Sequence, residues 1–524
     1  MEKGQEIRLK IEDITENSQG VGRNEDGMTV FVRRGKARDD ALPGDTVLCR
    51  VTKVKKRFAI AELLEVAERS PHRISGEFCE YSDRCGGCPY GRLSYDKQLE
   101  LKERGVREAL KRIGNIAEPA LDPIIGMDGP PYNYRNKAVM PVSTGRGGAP
   151  AVGFFRERSK TVVDCRACRI QAPPAMAAAE VLREFMISDH VSAYDPRTKR
   201  GLFRHLIVRT AAGTGEVMVL LVINGKGIPN VEKLIGMLDD AIYELPPAEN
   251  GVEYSLESVF INVNRPEKAA GKAGAGKEPL YGKKTELIAG KPTILEDAGG
   301  TGLEISPLSF CQVNTAQMEA LYYQVFEYAG LSEGDTVLDV YCGIGSIGLF
   351  LSGILGDRIR VIGIESDRGA VLNANRNAVI NEIVNARYVC GKAENVLPEL
   401  VADKGDPASE ERASGAPASE SFETIEETAP SLNIDLGDVT AAILDPPRAG
   451  CDERLLRAVA AAEPERIVYV SCEPPTLARD VKRLRELGYS FVKGTPVDMF
   501  PQTGRTEVVC LLERIIADTI RADQ

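Results

Sequence analysis

Near the C-terminus, the thiol of Cys472 sits in Ser471-Cys472-Glu473-Pro474, directly after the strand-like run Arg466-Ile467-Val468-Tyr469-Val470. A strand ending there delivers the thiol to a sheet edge, and a helix starting near Pro474 or Pro475 favours its thiolate through the helix dipole. Further on, Met499-Phe500-Pro501-Gln502-Thr503-Gly504-Arg505-Thr506-Glu507 ends in a carboxylate. The apolar run Val508-Val509-Cys510-Leu511-Leu512 follows it, so Glu507 starts a buried strand and is placed as a general base. Upstream, Asp339-Val340-Tyr341-Cys342-Gly343-Ile344-Gly345 has the form of a nucleotide-type cofactor loop. A soft nucleophile, a base and a cofactor loop describe an enzyme that adds to an unsaturated ring. The activated ring then accepts a group from the cofactor. Cys390 and Cys510 read as buried core thiols, while Cys311 and Cys342 lie near the cofactor segment without a strand-end setting.

The loop at Asp339 follows a strand and opens a helix, and its glycines let the backbone approach a ligand closely. It lacks the third glycine of a GxGxxG dinucleotide fingerprint. The next strand, Val361-Ile362-Gly363-Ile364-Glu365, ends in an acid that can accept hydrogen bonds from ribose hydroxyls. Loop and acid together favour S-adenosyl-L-methionine ahead of NAD. Asp445-Pro446-Pro447-Arg448 follows the strand Ala441 to Leu444, and its prolines fix an extended turn that holds the carboxylate toward the cleft. Phe310-Cys311-Gln312-Val313-Asn314, ahead of the first of these strands, is uninformative alone.

A second constellation is Cys79-x5-Cys85-x2-Cys88, with Gly86-Gly87 allowing a tight wrap. Four cysteines can hold an iron-sulfur cluster or zinc, and Cys165 and Cys168 are candidates for a distant fourth ligand. The spacing differs from the CxxxCxxC of radical enzymes.

These residues need several domains to position them, as 524 residues exceed a single core. Residues 1 to 66 alternate strand candidates (Ile7–Ile11, Thr29–Val32, Asp45–Val54, Phe58–Leu64) with turn signals that include Ser18-Gln19-Gly20-Val21-Gly22. The spacing predicts a small OB-like β-barrel of a kind that often holds RNA. Residues 67 to 300 form a central α+β region with a helix near 96–113, which is expected to pack on the catalytic domain, and a Lys/Ala/Gly-rich loop from Pro266 to Pro279. From 301 to 524, strands and helices alternate as in an α/β Rossmann-like domain, interrupted by a disordered insert at 404–438.

The net charge of -11 conceals a strong asymmetry. Lys404 to Asp438 holds nine acidic against two basic residues, whereas Arg135 to Arg209 holds 14 basic against six acidic. A local basic surface can bind phosphates on an acidic protein, because screening limits distant charges. Tyr134-Arg135-Asn136-Lys137 and Gly201-Leu202-Phe203-Arg204-His205 mix cations and aromatics suited to that role. No apolar run approaches a membrane span, and Met1 to Lys10 lacks a secretory core, so a cytoplasmic protein with reduced thiols is expected. Nothing calls for a membrane or an obligate protein partner.

Taken together, Phe310-x-Gln312-Val313-Asn314, Asp339-x-Tyr341-Cys342-Gly343, Asp445-Pro446-Pro447-Arg448, Ser471-Cys472 and Met499-Phe500-Pro501 resemble the RNA uracil-5-methyltransferase family. The likeness is to its RumA-like ribosomal RNA branch, and the N-terminal barrel looks like that branch's TRAM domain. The resemblance implies that Gln312, Tyr341, Glu365 and Asp445 contact S-adenosyl-L-methionine, with Cys472 as nucleophile and Glu507 as base. It favours Cys168 as fourth ligand beside Cys79, Cys85 and Cys88, and implies a [4Fe-4S] cluster, with zinc as the alternative occupant. It implies methylation of C5 of a specific uridine in 23S rRNA. The alternatives are a tRNA substrate, a non-catalytic RNA-binding or assembly factor, and an iron-sulfur redox protein. Glu473 departs from the family's usual Asn, and Gln502 and Arg505 stand where histidines are common.

Overall fold

In a computed structural model, residues 1–516 are described apart from 36–38, 77, 158, 266–278 and 403–435. The loop expected at Pro266 to Pro279 and the insert expected at 404–438 therefore lie almost wholly outside the described residues.

Five strands, β1 (Glu6–Ile14), β2 (Gly20–Arg23), β3 (Thr29–Arg33), β4 (Thr46–Val54) and β5 (Phe58–Glu68), close into a barrel in the order β1-β2-β3-β5-β4. Alternating Leu9, Ile11, Val30, Val32, Val47, Cys49 and Val51 fill its interior, as the period of two requires. The stretch Ser18 to Gly22, expected as a turn, instead supplies β2. A Cβ on Gly20 would lie 2.5 Å from the Ala41 carbonyl oxygen, and one on Gly22 2.4 Å from that of Lys10. These glycines serve close strand approach in a small barrel rather than chain reversal.

Helix α1 (Tyr95–Arg112) leads to the central sheet of β6 (Lys137–Thr144), β7 (Pro150–Phe155), β8 (Val162–Asp164), β9 (Phe203–Thr210), β10 (Glu216–Ile223), β11 (Ser255–Val263) and β12 (Lys284–Gly290). Its order is β12-β11-β10-β9-β6-β7-β8. Helices α2 (Pro173–Ser188) and α3 (Val231–Tyr243) contribute Leu182, Phe185, Leu234 and Leu238 to the core on one face. On the other, Ile207, Met218, Leu220 and Val222 share a core with Leu321, Val325 and Val468 of the C-terminal domain. Covering both faces is why β10 reads as an unbroken apolar run from Val217 to Ile223.

The hairpin β13 (Ile294–Ala298)–β14 (Thr301–Ile305) and helix α4 (Thr315–Ala329) precede the last sheet. That sheet comprises β15 (Thr336–Val340), β16 (Arg360–Glu365), β17 (Ala386–Cys390), β18 (Ala441–Leu444), β19 (Arg466–Ser471), β20 (Tyr489–Val497) and β21 (Glu507–Arg514). Helices α5 (Ser346–Leu355), α6 (Arg368–Ile380), α7 (Ala393–Ala402), α8 (Glu453–Ala461) and α9 (Pro474–Glu486) connect them. The order is β17-β16-β15-β18-β19-β21-β20, parallel from β17 to β19, with β21 inserted antiparallel between β19 and β20. Winding runs outward in both directions from β15, which opens a crevice at the carboxyl ends of β15 and β18. Cys510 is buried as expected, but Cys390 is exposed, because it closes edge strand β17 on a side-chain position facing away from the core. Among the described residues no helix is long and apolar enough to cross a membrane.

Candidate active site

Antiparallel pairing brings the thiol and the carboxylate together. Ser471 at the end of β19 pairs with Val508 in β21, so the next position on each strand sets Cys472 beside Glu507. Cys472 is half-buried directly before α9, whose first two positions are Pro474 and Pro475. Glu507 is 3% exposed. Burial, then the nearby Asp445, hold its carboxyl well above the usual range against the pull of Arg448 and Arg505. Burial and then Glu507 push the Cys472 thiol up to about 11, opposed by Arg448, which hydrogen-bonds to it. Asp445, at the end of β18, is raised to about 7 by burial and by Asp339. A thiol, two carboxyls and two guanidinium groups thus meet at one sheet edge.

The loop expected to hold the cofactor lies along the same edge. Tyr341 has a positive φ of 64° and its hydroxyl donates to Glu394 at 2.8 Å. Glu365 accepts from the Gly343 N–H at 3.2 Å and from that of Asp367 at 2.7 Å, which fixes it at the end of β16. Gly343 has φ 57°, and a Cβ there would meet no atom within 4 Å, so the loop faces open space. Behind it, Asp339 is fully buried with Oδ2 accepting from the Gly348 N–H and Oδ1 without a partner. A cavity of about 600 Å³ adjoins, lined by Tyr341, Ile364, Ser366, Ala393, Glu394 and Asp452 among others. A mixed lining, with Tyr341, Ile364 and Ala393 beside the Glu394 and Asp452 carboxylates, suits a nucleoside. Gln312 is buried just ahead of α4, its carbonyl accepting from Asn136 Nδ2 at 3.0 Å.

The segment before Glu507 is held from outside the domain. Helix α1 packs on α9 and β20. From it, Lys102 donates to Asp498 and, at 3.0 Å, to the Phe500 carbonyl; both charged groups are fully buried. The Tyr95 hydroxyl donates to Asp498 at 2.9 Å. Gln98 and Gln502 exchange two 2.9 Å hydrogen bonds, and Gln502 holds a positive φ of 70°. The Tyr134 hydroxyl donates to the Pro501 carbonyl at 2.8 Å.

Cys79, Cys85, Cys88, Cys165 and Cys168 all line one cavity of about 30 Å³ walled by Phe78, Tyr81 and Phe154. Cys85 lies in hydrogen-bond contact with Cys165, which holds it down to about 7. Among the described residues no three His, Cys, Asp or Glu side chains form a site for a single metal ion. Beside this cavity runs a cleft of about 820 Å³. Glu16 and Asn17 of the barrel, Cys85 to Cys88, Arg135 and Arg156 of the central region, and Phe500 and Arg505 of the catalytic edge all reach it.

Arg448, Glu394 and the Lys102–Asp498 pair carry no role in the sequence reading. Arg448 closes the Asp445-Pro446-Pro447-Arg448 motif, and the fold brings it to the thiol. Glu394 opens α7, a helix that the sequence reading left unassigned.

The TRAM domain family matches residues 1–64, the tRNA (uracil-5-)-methyltransferase family residues 408–515, and the protein-L-isoaspartate(D-aspartate) O-methyltransferase family residues 303–399. A protein of Caldanaerobacter subterraneus subsp. tengcongensis named as an uncharacterized RNA methyltransferase is 37% identical over 98% of this chain and 99% of its own. One of Halalkalibacterium halodurans is 34% identical over 98% and 97%. The crystal structure of Pyrococcus abyssi tRNA (uracil-54, C5)-methyltransferase in complex with S-adenosyl-L-homocysteine is 26% identical. It superposes with a TM-score of 0.67 over 97% of this chain and 100% of that one. Likeness at 34–37% identity over nearly the full chain makes this an RNA methyltransferase rather than a non-catalytic factor. The chain belongs to the TRAM-containing RNA uracil-5-methyltransferases, which use S-adenosyl-L-methionine.

Proposed function

We propose that the enzyme methylates C5 of a specific uridine in 23S rRNA, with Cys472 as nucleophile and Glu507 as base. The observation that carries this reading is the cross-strand placement of Cys472 and Glu507, the latter two residues after Arg505 in the wall of a cleft reached by the barrel. Uracil C5 is a poor nucleophile. Addition of the Cys472 thiolate to C6 makes an enolate whose C5 is electron-rich. S-adenosyl-L-methionine, when bound, would supply an electrophilic methyl group to C5, with S-adenosyl-L-homocysteine as the leaving group. Glu507 then removes the C5 proton, the C5–C6 double bond re-forms and Cys472 leaves. Arg448 favours the thiolate, and the raised basicity of Glu507 suits abstraction of a carbon-bound proton. Because thiol and carboxyl are recessed, the uridine must be unpaired or flipped.

Gln312, Tyr341, Glu365 and Asp445 are proposed to hold the cofactor. The partnerless Asp339 Oδ1 and the open space at Gly343 support a ligand there. Tyr341 and Glu394 line the nucleoside pocket, and Glu365 sits where ribose hydroxyls are bound in such folds.

Cys79, Cys85, Cys88 and Cys168 are proposed to hold a [4Fe-4S] cluster that shapes the cleft wall. An all-thiol donor set around one aromatic-walled cavity suits iron and sulfide. Burial, then Cys168, Cys85 and Cys79, push the Cys88 thiol well up, a penalty that a bound cation would relieve.

The Pyrococcus abyssi neighbour is named for tRNA, which favours tRNA as the second reading. Transfer of labelled methyl to unmodified 23S rRNA and tRNA, beside Cys472→Ala, separates them. Label in rRNA as 5-methyluridine, lost in the variant, is expected. Label in tRNA alone would overturn the substrate and keep the chemistry.

A further inference from the structure

Lys137 on β6 stands directly opposite Arg209 on β9. Burial alternates from Arg135 to Met140, so Arg135, Lys137 and Val139 share one side, and Arg135 and Val139 line the 820 Å³ cleft. Arg209 is 4% exposed; among the described residues it donates to the Ser309 carbonyl and its Nε has no partner. Among the described residues, the groups that draw positive charge to this pair are the Cys311 thiol and the Tyr281 phenol, with no carboxylate. Burial, then the Glu296 carboxyl, push Cys311 up to about 12, and burial pushes Tyr281 upward, so both are neutral. Burial, then the facing Arg209, push the Lys137 ammonium down to about 7, and a buried guanidinium without a counter-charge is costly. That arrangement calls for an incoming anion.

We propose that Lys137, backed by Arg209 and flanked by Arg135, receives a phosphodiester of the RNA beside the target nucleotide. The inference rests on the RNA substrate reading above and adds the site that seats the backbone. The row opens on the cleft, where Arg505 lies within electrostatic reach of both Arg135 and Cys472. The cations therefore lead to the nucleophile. The cofactor's carboxylate is the other anion available, but its nucleoside pocket has a different lining.

The test titrates unmodified 23S rRNA and tRNA transcripts into wild type, Lys137→Gln and Lys137→Arg over a range of salt, with S-adenosyl-L-homocysteine titrated separately. Lys137→Gln should bind RNA on the order of tenfold more weakly, with a salt slope shallower by about one, while Lys137→Arg retains binding. Cofactor affinity should be unchanged. Weaker cofactor binding with RNA binding intact would assign the row to the carboxylate and overturn the proposal, as would no change in either. A second measurement needs no variant: RNA should protect Lys137 of the wild type from amine acylation, and the cofactor analogue should not. Acylation of Lys137 unaltered by bound RNA would also overturn it. Failure of the wild type to bind either RNA would instead count against the substrate reading itself.

Discussion

Cys472 and Glu507 are neighbours because β21 runs antiparallel beside β19, one residue beyond the Ser471–Val508 pair. A slip of one residue in that register would turn Glu507 to the opposite sheet face. The two residues then have separable roles. Cys472→Ala should abolish product, while Glu507→Gln should still permit addition and methylation but not release. Glu507→Gln is expected to accumulate a protein–RNA adduct stable to denaturing electrophoresis, with turnover lowered on the order of 10²–10⁴-fold. An adduct from Cys472→Ala would refute the assignment.

Rate should depend steeply on pH. The thiol must be deprotonated to add, and burial and Glu507 hold it near 11. A group needed as its base and raised in this way gains reactive fraction as pH climbs toward its value. Single-turnover rate should therefore rise from pH 6.5 to 9, by up to about tenfold per unit. Arg448→Gln removes the cation that lowers the thiol, so its profile should lie further to the alkaline side. A flat profile in both proteins would show that chemistry is not limiting or that the thiol is already ionised.

The Lys102–Asp498 pair ties α1 to the end of β20, ahead of Glu507. Both groups are fully buried, so Lys102→Met leaves an uncompensated carboxylate and should cost about 3–5 kcal/mol in chemical denaturation. The double variant Lys102→Met/Asp498→Leu should recover much of that loss. Equal destabilisation by single and double variants would mean that the pair is not coupled.

Gly343→Val places a branched side chain in the open space of the cofactor loop and strains φ 57°. Cofactor affinity measured by calorimetry should fall by more than about tenfold, with RNA affinity little changed. Parallel losses in both would indicate general unfolding instead.

Cys168→Ser and Cys88→Ser should lower bound iron and sulfide together, whereas Cys165→Ser should keep them. Iron retained in Cys168→Ser and lost in Cys165→Ser would exchange the fourth ligand. Zinc in place of iron, with no sulfide, would replace the cluster.

By itself, the sequence determined the local chemistry: a thiol at a strand end, an acid opening an apolar strand, a glycine turn after β15 and an acid closing β16. Each is a short-range pattern, because strand ends and helix starts are set by neighbouring residues. It also determined the barrel and the α/β alternation, whose periodicities lie within a few turns of chain. Only the tertiary structure decided that β21 inserts between β19 and β20, and so that Cys472 meets Glu507 and Arg448. Strand order is a long-range property, set by which apolar faces bury one another. The same holds for Lys102 and Asp498, 396 residues apart, and for the opposition of Lys137 and Arg209. No local pattern marks those pairs, since Lys and Arg usually signal solvent, and burial alone changes what they do.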